Sequence, residues 1–173
     1  MPVIEPPTLR DGDFTLRPGG LDDVDAVTAA CQDPEIQRWT GVPSPYRREH
    51  AQAWLATGPA EGVVNLLAFA GGRLAGSFGL LEIDRQRGYG EIGYWVAREA
   101  RRQGVATRAV GLLDDWARAE LQLKTIEILP HRDNAPSQRV AERCGFTATD
   151  ELRPAPARLQ PDDGFYLVHV RKT

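Results

Sequence analysis

The chain is poor in cysteine, in long apolar runs and in excess charge of either sign. Its 173 residues include two cysteines, Cys31 and Cys144, which lie far apart and outside any Cys-x-x-Cys motif. This excludes a disulfide framework and a cysteine-ligated zinc site. No run approaches the roughly 18 consecutive apolar residues of a membrane-spanning helix. The net charge of −3 gives no electrostatic reason to expect a nucleic-acid or membrane partner.

The N-terminal segment also lacks the features of a secretory signal. Met1–Asp13 contains three prolines and no apolar central region. We therefore expect a cytoplasmic protein. The length is typical of one globular domain, and both a monomer and a homodimer remain open.

Turn residues divide the chain into segments with the periodicity of strands or of helices. We predict strands at Phe14–Arg17, Val63–Ala70, Leu74–Ile83, Glu91–Ala97, Thr125–Pro130, Phe146–Arg153 and Phe165–Arg171. We predict helices from Asp22 to Cys31, where Pro34 breaks the pattern, from about Tyr46 to Ala56, over Ala106–Ala117, and after Asn134. This order indicates a mixed sheet with helices packed against it, an α/β or α+β fold.

One glycine pattern suggests a dinucleotide site, but its context is wrong. Gly88, Gly90 and Gly93 match G-x-G-x-x-G, a motif that needs a helix to begin within it so that free amides meet a pyrophosphate. The residues that follow, Tyr94-Trp95-Val96, favour a strand. We interpret the match as coincidental.

A better anion-binding candidate is the segment Arg101–Ala106, between a predicted strand and a predicted helix. Gly104 and Ala106 are small enough for a ligand to approach the backbone, and the first N–H groups of a helix have no intrahelical partner. Two arginines add positive charge, so the segment is typical of a pyrophosphate site. A solvated basic turn is the alternative, and the absence of a P-loop Lys-Ser/Thr disfavours nucleotide hydrolysis.

The segment Asn134–Ser137 begins the last predicted helix. Asn134 is a typical N-cap, Pro136 fits the first turn, and Gly145 lies just past the end. Ser137 shares a helical stripe with Val140 and Cys144, so its hydroxyl points towards the apolar face. Capping alone explains Asn134 better than it explains Ser137.

Four motifs in this order resemble the Gcn5-related N-acetyltransferase (GNAT) family, in particular its ribosomal-protein N-terminal acetyltransferase (RimJ/RimL-like) branch. They are Glu91-Ile-Gly-Tyr-Trp-Val, Arg101-Arg-Gln-Gly-Val-Ala, Asn134-Ala-Pro-Ser and Glu142-Arg-Cys-Gly-Phe. The resemblance implies a mixed, strongly twisted, mostly antiparallel sheet, splayed between two central strands and flanked by about four helices. It also implies a single acetyltransferase domain over residues 8–173, after a flexible extension over residues 1–7.

The resemblance implies acetyl-CoA as the acyl-donor substrate, and no metal. The expected cofactor-binding residues are Trp95, Val96 and Ala97 along the pantetheine arm, Arg101, Arg102, Gln103, Gly104, Val105, Ala106 and Thr107 around the pyrophosphate, and Asn134 and Ser137 nearer the thioester. His50, His131 and His169 show no metal-ligand spacing.

The resemblance further implies direct attack of a primary amine on the thioester in a ternary complex. Ser137 matches the serine that protonates the departing thiolate, and Asn134 matches an asparagine that binds the pantetheine or an ordered water. Glu91 is a candidate base acting through water. The alternatives are an edge carboxylate that is solvated or paired with an arginine, and a solvent-wired proton path with no single base. The loop after Arg153, Pro154–Ala157, offers no carboxylate.

The identity of the amine that accepts the acetyl group follows least directly from the sequence. The resemblance favours a protein N-terminal α-amino group. A small-molecule amine such as an antibiotic or polyamine remains open, as does a non-catalytic acyl-CoA-binding module. We expect Asp33–Ala56 to line the acceptor side of the site.

Overall fold

The computed structural model describes residues 3–156, 159 and 164–173, which contain one mixed sheet of eight strands. The strands are β1 (Leu9–Asp11), β2 (Phe14–Arg17), β3 (Val64–Ala70), β4 (Arg73–Asp84), β5 (Tyr89–Val96), β6 (Thr125–Ile128), β7 (Thr147–Pro154) and β8 (Phe165–Lys172). They lie in the order β1-β2-β3-β4-β5-β6-β8-β7. Neighbouring strands are antiparallel except for the parallel pair β5–β6. The predicted mixed, mostly antiparallel sheet is confirmed.

Five α-helices, rather than the roughly four expected, occur in the same part of the chain. They are α1 (Val24–Ala30), α2 (Pro34–Trp39), α3 (Arg48–Ala56), α4 (Val105–Leu121) and α5 (Ala135–Arg143). None of the described helices has the length and apolar composition needed to cross a bilayer.

The parallel pair at the centre of the sheet is short. β5 and β6 pair only from Tyr89–Thr125 to Ile92–Ile128, where β6 ends. β5 continues to Val96, so the two strands separate and leave a cleft along this edge of β5. This is the predicted splay between two central strands.

Hydrophobic clusters lie on both faces of the sheet. One joins α4 and α5 to the sheet through Phe78, Ile92 and Leu113, among others, and Ile4 from the predicted extension packs against it. The other joins α1, α2 and α3 to β3. Burial of each such large side chain contributes about 1.5–3 kcal/mol, so the two clusters fix the helices on opposite sides of the cleft.

A buried charge ties α4 to the last strand. The carboxylate of Asp114 is fully buried and accepts hydrogen bonds from Arg118 at 3.0 Å and Arg171 at 2.9 Å. A buried charge without such partners is strongly destabilising. These ion pairs therefore fix the position of α4 against β8.

Pro34 both ends and begins a helix, and only the first effect was predicted. α1 ends before it, as expected, but Pro34 is also the first residue of α2. Proline is tolerated there because its missing N–H would have no intrahelical partner. Asp33 caps α2 by accepting a hydrogen bond from the Glu35 N–H at 3.1 Å.

Several other boundaries differ from those predicted by periodicity: β5 begins at Tyr89 rather than Glu91, β6 ends at Ile128 rather than Pro130, and α4 continues to Leu121 rather than Ala117. A 3-10 turn over Leu21–Asp23 precedes α1, and α3 begins at Arg48 rather than near Tyr46. The strand β1 was not predicted because its three residues are too few to show an alternation.

Both glycine predictions in the sheet region are confirmed. Gly71 and Gly72 form the hairpin between β3 and β4, with φ of +54° and +78°. Gly90 and Gly93 lie within the strand β5, and no helix begins in this segment. The dinucleotide pattern is therefore coincidental.

Candidate active site

A cleft of about 1370 Å³ opens where β5 and β6 separate. Its walls come from β5, the loop before α4, the start of α5, and the segment from α2 to α3. Among the expected site residues, those that line it are Glu91, Trp95, Val96, Arg101, Arg102, Gly104, Val105, Ala106, Thr107, Asn134 and Ser137.

The loop before α4 presents free amides to this cleft. Gly104 has φ +75° and directly precedes the helix, which begins at Val105. The first helical N–H to find its partner is that of Arg108, which donates to Gly104 O at 3.0 Å. The amides of Val105, Ala106 and Thr107 precede it and have no intrahelical acceptor. The helix dipole adds positive potential, which makes this terminus suitable for an anion.

The first arginine of this loop points elsewhere. The Arg101 guanidinium donates to Val96 O at 3.2 Å and to the Asp33 carboxylate at 2.5 Å. It thus joins the loop to the N-cap of α2, and its charge is already paired. Arg102 is exposed and lines the cleft.

Two more arginines line the cleft and were not predicted. Arg139 and Arg143 lie on α5, are exposed, and lie one helical turn apart. The i, i+4 spacing was visible in the sequence, but nothing in it placed that face of α5 beside the loop that contains Gly104.

The free edge of β5 presents the peptide groups of Tyr94 and Val96. The Ala97 N–H donates to Ala75 O on β4 at 2.8 Å. Hydrogen bonding alternates along an antiparallel pair, so the peptide groups of Trp95 also face β4, and those of Tyr94 and Val96 face the cleft. Val96 O is occupied by Arg101, which leaves Tyr94 and the Val96 N–H for an added strand.

Two expected cofactor residues do not reach the cleft wall. Ala97 is buried and bonded to β4. The Gln103 side chain is exposed and donates to Glu99 O at 2.7 Å, within its own loop.

Asn134 and Ser137 stand together at the start of α5. The Asn134 Oδ1 accepts a hydrogen bond from the Ser137 N–H at 3.3 Å, so the predicted N-cap is confirmed. The Ser137 Oγ lies 2.9 Å from the hydroxyl oxygen of Tyr94 on β5. This contact joins the helix to the strand across the cleft wall.

Tyr94 was missed as a site residue. It stacks on Phe78 with ring centroids 5.2 Å apart, and burial raises its pKa to about 12. Strand alternation predicted that the Tyr94 side chain lies on the face of β5 opposite to Trp95, but it did not predict the hydrogen-bond partner of Tyr94. The contact with Ser137 depends on the packing of α5 against the sheet.

Glu91 lies on the other face of β5. Its residue is 3% exposed and lines the cleft. In register, it is paired with Glu127 on β6 and Glu82 on β4. This burial excludes the solvated-edge interpretation of Glu91. Glu127 itself accepts hydrogen bonds from Arg153 at 2.7 Å and Tyr89 at 3.0 Å.

The opposite wall of the cleft is aromatic and acidic. Trp39 lies with its ring centroid 5.2 Å from that of His131, which lies 5.3 Å from that of Tyr166. The Trp39 indole N–H donates to the Glu35 carboxylate at 2.9 Å. Residues from Glu35 to Trp54 contribute to this wall, so part of the segment Asp33–Ala56 lines the cleft.

Two predicted segments lie partly outside the residues that the structure describes. Of the loop Pro154–Ala157, Ala157 lies outside the described residues, as do Met1 and Pro2 of the predicted extension. Within the described ranges, no group of three or more His, Cys, Asp or Glu side chains is arranged to hold a metal ion.

Comparison with known proteins identifies the class. The family model described as "Acetyltransferase (GNAT) domain" matches residues 13–147. A Bacillus subtilis (strain 168) protein named as a ribosomal N-acetyltransferase, YdaF, is 35% identical over 96 residues, which cover 56% of this chain and 48% of the relative. The chain thus spans about half the length of that relative. The N-acetyltransferase p20 of Bacillus licheniformis is 28% identical over 84% of this chain and 85% of its own.

Solved structures share the fold at low identity. The Microcin C7 self-immunity acetyltransferase MccE, in complex with acetyl-CoA and AMP, superposes with a TM-score of 0.83 at 17% identity, over 94% of each chain. The ribosomal L7/L12 alpha-N-protein acetyltransferase RimL, in complex with coenzyme A, gives 0.79 at 20% identity, over 96% of this chain and 98% of its own.

The fold and the family model together define an acetyltransferase domain of the GNAT type. The chain belongs to the GNAT acetyltransferase family. The chain is similar to a protein named as a ribosomal N-acetyltransferase and shares its fold with RimL, in agreement with the resemblance to the RimJ/RimL-like branch.

Proposed function

We propose that the protein transfers the acetyl group of acetyl-CoA to a primary amine, by direct attack in a ternary complex. The observation that supports this best is the convergence of three features in one cleft. These are the free amides that begin α4, the unpaired edge of β5, and the Ser137 hydroxyl.

The cofactor binds along these features in order. The diphosphate accepts hydrogen bonds from the amides of Val105, Ala106 and Thr107, and Arg102 adds positive charge. The pantetheine arm pairs with Tyr94 and Val96 as an added strand would. The Val96 N–H then polarises the thioester carbonyl, and the sulfur lies near Ser137.

The reaction needs proton transfers at both the acceptor nitrogen and the leaving sulfur. The ammonium of the acceptor loses a proton through water to Glu91, and the free amine attacks the carbonyl carbon. The new C–N bond forms, the C–S bond breaks, and the nitrogen loses its second proton to water. The departing thiolate takes the proton of Ser137, which regains one from solvent.

The acceptor is a protein N-terminal α-amino group in this proposal. The names of the relatives YdaF and RimL support this choice. The acidic groups Glu35, Glu91 and Asp133 on the cleft wall favour a cationic acceptor by charge complementarity. A small-molecule amine is the second candidate, because the aromatic wall at Trp39 and His131 also suits a compact ligand.

Mass spectrometry tests the reaction directly. The protein and acetyl-CoA are incubated with peptides bearing free N-termini, with the same peptides blocked at the N-terminus, and with a panel of polyamines and aminoglycosides. We expect a gain of one acetyl group on free peptides alone. Acetylation confined to small amines would select the second candidate, and coenzyme A binding without any acetylated product would indicate a non-catalytic module.

Ser137→Ala tests the proton donor. We expect kcat to fall by about 100-fold or more, whereas acetyl-CoA affinity changes less than about twofold. Ser44→Ala is the matched control, because Ser44 also donates a hydroxyl hydrogen bond, to Gln37 at 2.8 Å, but does not line the cleft. Equal turnover of the two variants would refute the role of Ser137.

Glu91→Gln tests the base. If Glu91 accepts the ammonium proton, the acid limb of the pH–rate profile disappears and kcat falls. A profile that coincides with that of the unmodified protein would leave a solvent path as the proton acceptor.

A further inference from the structure

We propose that Tyr94 is a positioning residue, whose hydroxyl donates to Ser137 Oγ and thereby directs the Ser137 hydrogen towards the cofactor sulfur. This inference rests on the proposed role of Ser137 and adds to it a residue on a different element. It concerns the contact of 2.9 Å between the two hydroxyl oxygens.

The direction of this hydrogen bond follows from the chemistry of the two groups. A phenol is a better donor than an aliphatic alcohol, and the pKa of Tyr94 is raised to about 12, mainly by burial, so the phenol stays protonated at any working pH. With the Tyr94 proton on the shared line, the Ser137 hydrogen must point elsewhere. The Ser137 side chain is half-buried and lines the cleft, so the remaining direction is into the cleft.

The geometry of Tyr94 is held by packing rather than by this hydrogen bond. Its ring stacks on Phe78 with an interplanar angle of 11°, and it packs against the cluster that joins α4 to the sheet. Because β5 fixes the backbone of Tyr94, the hydroxyl is a fixed reference point for Ser137. Asn134 holds the backbone of Ser137, and Tyr94 holds its side chain.

In this arrangement the Ser137 proton is free to move to the thiolate, because Tyr94 donates to Ser137 and does not accept its proton. If Ser137 donated to Tyr94 instead, its proton would be engaged before the thiolate formed, and it would have to rotate during the reaction. Prior orientation removes that rotation. When the Ser137 proton moves to the sulfur, the same phenol donates to the developing negative charge on Ser137 Oγ.

Tyr94→Phe is the test, because it keeps the ring and removes the donor. We expect kcat to fall about tenfold, while KM for acetyl-CoA stays within twofold and the melting temperature is little changed. Tyr89→Phe is the matched control on the same strand: Tyr89 donates to Glu127 at 3.0 Å and does not line the cleft. We expect it to keep kcat within twofold.

The double variant separates positioning from general loss of structure. In the Ser137→Ala background there is no hydrogen to orient, so adding Tyr94→Phe should not lower kcat further. Multiplicative losses, or a kcat for Tyr94→Phe equal to that of the unmodified protein, would overturn the proposal. An unmodified protein that acetylates no amine would instead refute the proposed function.

A second measurement applies even if Tyr94→Phe does not fold. Replacement of Tyr94 by 3,5-difluorotyrosine keeps the size of the side chain nearly unchanged but makes the phenol more acidic. Above the pH at which this phenol ionises, it can no longer donate to Ser137. We expect kcat to fall there while the unmodified protein stays active; coinciding profiles would contradict the proposal.

Discussion

Gly104 offers the sharpest perturbation of the proposed diphosphate site. Its φ of +75° is in the left-handed region, and a Cβ added there would meet no protein atom within 4 Å. Gly104→Ala therefore costs only backbone strain, about 1 kcal/mol. For a chain of this length that lowers the melting temperature by about 2–4 °C.

In free energy, the loss of coenzyme A binding should exceed this loss of stability. In the proposed site, a methyl group at Gly104 would occupy the space through which a diphosphate approaches the adjoining amides. Losing one charge-assisted hydrogen bond costs about 1.5–3 kcal/mol, which corresponds to roughly 10–150-fold in Kd for coenzyme A.

Gly72→Ala provides the matched control. Gly72 has φ +78° and also no protein atom within 4 Å of an added Cβ, but it lies in the hairpin between β3 and β4. Calorimetry with coenzyme A should give an unchanged Kd for Gly72→Ala, although its melting temperature falls as much. If both variants bound coenzyme A equally, the assignment of Gly104 to the diphosphate site would be wrong.

Three other predictions concern stability and reactivity. Asp114→Ala leaves the largely buried Arg118 without its carboxylate, although Arg118 and the partly exposed Arg171 keep hydrogen bonds to backbone carbonyls. It should cost about 1.5–3 kcal/mol in a denaturant titration, whereas the exposed Asp13→Ala should leave the midpoint nearly unchanged; equal effects would contradict the burial argument. Burial raises the pKa of Cys144 to about 11, so a thiol reagent should modify it slowly at pH 8 and rapidly in denaturant, and rapid modification of the folded protein would refute this. Arg17 lowers the pKa of Asp23. The pair therefore stabilises the fold above about pH 4, and this contribution disappears as the pH falls through the folded-state pKa of Asp23. The difference in free energy of unfolding between Asp23→Asn and the unmodified protein should shrink in acid; a constant difference would count against the ion pair.

Elements with a clear local signal were predictable. The strand at Phe14–Arg17 was located to the residue, and α4 and α5 were found from their periodicity and caps. Failures occurred where a residue has two roles or an element is very short. Pro34 ends one helix and begins another, and β1 has three residues.

The site was predictable as a set of backbone features but not as a set of side-chain contacts. The loop at Gly104 and the cap at Asn134 follow from local sequence. The contact between Tyr94 and Ser137 spans 43 positions, and the ion pair between Arg101 and Asp33 spans 68. Such contacts depend on how helices pack on the sheet, which single-sequence periodicity does not determine.

The central claim is that free amides at the start of α4 hold the diphosphate of coenzyme A. Backbone amide chemical shifts of ¹⁵N-labelled protein, followed during a coenzyme A titration, test it most directly. The account predicts that the amides of Val105, Ala106 and Thr107 shift most with coenzyme A and little with pantetheine, which lacks the diphosphate. Saturable binding of coenzyme A that left these three amides unchanged would contradict it.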